Sequence, residues 1–101
     1  MNARPFFTFA SMEEPERAFY RLVDEYRARN PRGLSGTIAE KGSFQVFTPP
    51  KTTHPLLFAA QMVSRRDYRI ADPYGPAGMV ECEGSLLFFG LAIHSPDECF
   101  Y

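Results

Sequence analysis

Leu86-Leu87-Phe88-Phe89-Gly90-Leu91-Ala92-Ile93 is the longest apolar run in the chain, and its reading decides the fold. It falls well short of the roughly 18 residues needed to cross a bilayer, so no transmembrane helix and no membrane role is expected. Read as a strand, it alternates Leu87, Phe89, Leu91 and Ile93 on one side with Leu86, Phe88, Gly90 and Ala92 on the other. Both sides are apolar. The bulkier set should face a helical layer. The second set, Leu86, Phe88, Gly90 and Ala92, is then expected to stay uncovered and to serve as a contact surface. Immediately upstream, Met79–Glu83 and the turn residues Gly84-Ser85 make this run the second arm of a hairpin.

Working outward, Asp72–Gly78 reads as a Pro/Gly loop and Tyr68–Ala71 as a short strand. Thr53–Arg66 reads as a helix, with Thr53 as cap, Pro55 in the first turn, and Leu56, Ala59, Ala60 and Val63 on one face. A strand alternating Leu57, Ala59, Gln61 and Val63 is the other reading of that segment. Gly36–Glu40 and Ser43–Thr48 look like a hairpin around Lys41-Gly42, ended by Pro49-Pro50. Further back, Phe19, Leu22, Val23 and Tyr26 recur at the spacing of one helical face. Ser11-Met12-Glu13-Glu14 offers a capping box for that helix, although Pro15 leaves its start open. Asn30-Pro31-Arg32-Gly33 should stop it. Arg4–Phe9 is an aromatic strand.

The resulting order of elements resembles, by topology alone, a ferredoxin-like split βαβ unit with an added hairpin. It predicts an α+β fold in which residues 1–101 form a single small domain: a mainly antiparallel sheet with two helices on one face. Such a fold hosts many unrelated functions, so function has to come from particular residues.

The 101 residues, 45% of them hydrophobic, suffice to close one core without metal or disulfide staples. Ten Phe and five Tyr exclude a disordered segment. Met1–Ser11 lacks the continuous apolar stretch of a secretory signal, and two cysteines, Cys82 and Cys99, do not make a disulfide framework. A cytoplasmic chain with reduced thiols is expected, a single bridge between the two cysteines being the alternative. Cys82, between Glu81 and Glu83 on a strand, should be a small buried hydrophobe.

A formal net charge of -1 argues against nucleic-acid binding, which rests on neutralising phosphates. Nine of the eleven basic residues are Arg, and six of them gather at Arg27, Arg29, Arg32 and at Arg65, Arg66, Arg69. Both groups fall at helix ends that point in opposite directions, where they complement the helix dipole. Enzyme chemistry has as its candidates Cys82, Ser95, His54 and His94, which form no recognisable catalytic set, so no catalytic residue is assigned. His94 and Cys99, with Asp97 and Glu98 between them, are the closest grouping of metal-ligand types. The spacing is weak, and no metal or cofactor is expected. Gly33-Leu34-Ser35-Gly36 lacks the Lys of a phosphate-cradling loop.

Aromatic surface is what remains. Tyr74, on the stiff Asp72-Pro73-Tyr74-Gly75-Pro76 turn, and the C-terminal Phe100-Tyr101 are candidate anchors. The sequence therefore reads as a non-enzymatic protein-interaction domain that occupies a surface of a partner or of a second copy. Its most specific form is a phage- or mobile-element-encoded inhibitor of a bacterial defence system. The rivals are a small nucleic-acid-binding domain and a small enzyme with a site assembled across loops.

Overall fold

The strand Asn2–Ser11 (β1) pairs antiparallel along its whole length with Ser85–His94, the fourth strand (β4) in the computed structural model, which describes residues 2–29 and 37–94. The predicted stop at Asn30–Gly33, the Gly33–Gly36 loop, and Arg32, Ser95, Cys99, Phe100 and Tyr101 lie outside the described residues. On its other side β4 pairs antiparallel with Ala77–Cys82 (β3), which in turn pairs in parallel with the short strand Phe44–Val46 (β2). The sheet order is β1-β4-β3-β2. Together with the helices Pro15–Arg29 (α1) and Pro55–Ser64 (α2), this is an α+β fold with a four-stranded, mostly antiparallel sheet.

The helix placement differs from expectation. α1 buries Ala18, Phe19, Leu22 and Val23 against Phe6, Ala10, Met79, Leu86, Phe88 and Ala92. α2 buries Ala59, Met62 and Val63 against Val80, Cys82, Leu87, Phe89 and Leu91. Alternate β4 residues thus enter two separate cores, one on each face. Chain handedness explains why. β1, β2 and β3 run in the same direction, with α1 crossing from one sheet edge to the other and α2 stepping back. Two crossovers that travel in opposite directions with the same hand must lie on opposite faces. The split βαβ arrangement, with both helices on one face, is accordingly not the one adopted.

Local differences follow the same logic. Ser11 closes β1 instead of capping α1, because a helix begun at Ser11 would place Pro15 where an amide is needed; Pro15 opens α1, where none is. His54, not Thr53, caps α2, its Nδ1 accepting the Leu56 amide at 3.1 Å. The expected strand before Lys41 is a 3-10 turn, Ile38–Glu40, which buries the adjacent residues Ile38 and Ala39, as a strand with one wet face does not. β2 therefore has no hairpin partner and joins β3 instead. The expected strand at Tyr68–Ala71 is a turn: the Asp67 carboxylate accepts the Arg69 amide, and its carbonyl accepts that of Ile70. The hairpin turn sits one residue earlier than expected, at Glu83-Gly84, with φ of 50° and 81°, the signature of a two-residue type I′ turn.

Two close packings set the sheet. Phe19, Phe44 and Phe88 stack with ring centroids 5.1 to 5.6 Å apart under α1. On the α2 face the tip of the Phe89 ring closes over Gly78, where an added Cβ would stand 2.5 Å from its Cζ.

Candidate interaction surface

The patch expected from the alternation of β4 is inside the protein. Leu86, Phe88 and Ala92 have no exposed surface and Gly90 is buried, all on the α1 face. Tyr74, by contrast, is 75% exposed. Its turn is held rigidly: the Asp72 carboxylate accepts the Tyr74 amide at 2.9 Å, and the Asp72 carbonyl accepts the Gly75 amide. Lys41 braces the turn from below, its buried ammonium donating to the carbonyls of Asp72 and Pro73 at 3.3 and 3.1 Å. Burial pushes its pKa down to about 8, against the pull of Asp72 and Glu40. Nothing in the Lys41 neighbourhood announces this brace, since its acceptors are backbone atoms more than thirty residues away.

A second feature lies between the start of α1 and β2. Here Glu14, Pro15, Glu16, Tyr20, Ser43, Phe44 and Val46 line a cleft of about 510 Å³. Tyr20 and Val46 are both more than half exposed, while Phe44 forms the apolar floor through its contacts with Phe19 and Phe88. β2 is the outer strand on this side. Ser43 O and Phe47 N bond to β3, so in a parallel ladder the amides and carbonyls of Phe44 and Val46 point outward along the cleft. The cleft thus combines an open strand edge, an aromatic wall and two carboxylates. One sequence signal marks it: Tyr20 is a large aromatic residue just off the buried Phe19-Leu22-Val23 stripe.

Of the residue types that could serve catalysis, His54 and Cys82 lie at described positions. His54 is tied to the α2 start, which leaves Nε2 to donate to Glu83 Oε1 at 2.9 Å on the open surface. Cys82 is a buried free thiol in the α2-side core, as its strand position implied. Among the described residues no group of three or more His, Cys, Asp or Glu is placed to hold a metal ion. No helix among them is long and apolar enough to cross a membrane. Arg69 of the second Arg group is engaged by Asp67 at 2.9 Å through both oxygens and lies 5.0 Å over the Phe47 ring.

No family model, curated protein or solved structure matches the chain. Among the described residues the cleft brings together outward strand-edge groups, apolar contact area and one sign of charge.

Proposed function

We propose that the chain is a non-enzymatic protein-interaction domain that binds an extended segment of a partner protein along the β2 edge. The observation that carries this is the cleft beside β2, where outward backbone groups of Phe44 and Val46 share one opening with Tyr20 and the carboxylates of Glu14 and Glu16. Strand addition of this kind takes its affinity from main-chain hydrogen bonds and its specificity from alternate side chains. The aromatic wall favours apolar side chains at one parity of the segment. The acidic rim favours Lys or Arg beside them. Occupying a partner's exposed segment is how an inhibitor or an adaptor acts, and no bond-making chemistry is needed for it.

The test uses extended peptides of alternating apolar and lysine residues, selected from a display library against the protein. Val46→Pro removes an outward donor without breaking the β3 ladder, so melting should be little changed. Selected peptides should bind the parent protein and lose at least about tenfold in affinity, roughly 1.4 kcal/mol, to Val46→Pro. Equal binding by both proteins rejects the β2 edge. Loss on Tyr74→Ala, with Val46→Pro silent, would move recognition to the braced turn, the second surface the rigid exposed ring supports.

A further inference from the structure

We infer that the opposite edge of the sheet, β1, pairs with β1 of a second copy, joining two four-stranded sheets into one. β1 is the other outer strand of the described sheet and is ten residues long, with β4 as its one partner among the described residues. The pairing parity of its backbone can be worked out from the hairpin. A two-residue turn makes Cys82 and Ser85 a hydrogen-bonded pair, so odd-numbered β4 residues bond to β3 and even-numbered ones to β1. Through the register, β1 turns the backbone groups of Arg4, Phe6, Thr8 and Ala10 inward and those of Ala3, Phe7 and Phe9 outward. Pro5 falls in the outward set, where its missing N–H breaks no bond to β4, as a proline in an edge strand should.

The outward residues also carry the exposed rings. Phe7 is 43% and Phe9 52% exposed, on the face where α2 packs over β3 and β4. An antiparallel partner centred on Thr8 would set Phe7 of each copy opposite Phe9 of the other, an aromatic cross-strand pair repeated twice about the symmetry axis. The orientation also keeps like charges apart: an in-register parallel partner would set Arg4 beside Arg4, whereas the antiparallel one places the two arginines at opposite ends of the paired strands. The outward donors and the paired rings are both self-complementary about the Thr8 axis, which is why a second copy fits this edge. Pro5 limits the pairing to the Phe6–Ser11 half, so the contact is small and the dimer should be concentration-dependent.

Sedimentation across roughly 1 to 500 μM protein should show a monomer–dimer equilibrium in the parent chain. The Phe7→Lys, Phe9→Lys double variant should keep its circular dichroism and remain monomeric throughout, since lysines on an edge oppose pairing. Hydrogen exchange gives the register: on dimerisation the Phe7 and Phe9 amides should gain protection, while those of Phe6 and Thr8 are protected in the monomer already. Val46→Pro should dimerise like the parent, which separates this edge from the cleft at β2. A parent chain that stays monomeric over the whole range overturns the inference. So does a dimer that survives the double lysine variant, or one whose new protection appears at Phe44 and Val46.

Discussion

Lys41 shows how much one side chain can be asked to do at residue scale. Only 3% exposed, it has exchanged water for two backbone carbonyls, which hold the Tyr74 turn in place. Burial lowers its pKa from 10.5 to about 8, so between those values the unfolded chain carries a proton that the folded one has shed. Stability must therefore rise as pH increases from about 8 toward 10.5, by at most roughly 3 kcal/mol, because unfolding takes up the proton. The neutral amine keeps two N–H groups for its two carbonyls, so the brace survives deprotonation. Lys41→Met should lower stability at neutral pH through the orphaned carbonyls and flatten this rise. Melting curves of the two proteins between pH 7 and 10.5, taken as a difference, remove the contribution of the tyrosines. Identical pH profiles would show that Lys41 remains charged in the fold.

At the scale of elements, β4 is covered on both sides by its own chain. Phe88 and Phe89 each have no exposed surface, one among the α1 aromatics and the other over Gly78. Phe88→Glu and Phe89→Glu should both abolish the folded circular dichroism signal, since an unpaired buried charge costs several kcal/mol against a marginal total. A folded Phe88→Glu protein would mean that α1 is not seated on that face. Alternation in Leu86–Ile93 made the two apolar faces legible, and the Phe19-Leu22-Val23 spacing made α1 legible. What alternation does not encode is which helix covers which face. Gly90 and Ala92 looked too small to fill a core, but the missing volume comes from another strand: Phe6 packs where a Gly90 side chain would be, with its ring 3.4 Å from that position. The strand at β2 was legible, but its pairing was misassigned for a related reason. Its partner β3 lies beyond α2, and no local turn signal marks a parallel pair. The cleft was hidden likewise, because Glu14, Tyr20 and Val46 meet only through the α1 crossover.

At the scale of the whole molecule, the flat body, 44 × 28 × 16 Å, presents two sheet edges of different character. The short β2 edge opens into an acidic, aromatic cleft, and the long β1 edge carries the exposed rings of Phe7 and Phe9. The strand between those edges has a consequence for how the molecule is made. β4 is the last of the four described strands and the one that pairs with β1, through partners such as Ser11 with Ser85 and Asn2 with His94. Closing so long a loop is entropically slow, so refolding should take milliseconds to seconds, and stopped-flow fluorescence that finishes in microseconds would contradict this. On the ribosome the order is stricter. Both helices and three strands leave the exit tunnel before the strand that unites them, and until it follows, Phe6, Phe7 and Phe9 have nothing to pair with. The nascent chain therefore carries β1 as an unpaired aromatic strand until Ser85–His94 has emerged, and the exposure of its open edge to aggregation falls only when that strand slots into the gap.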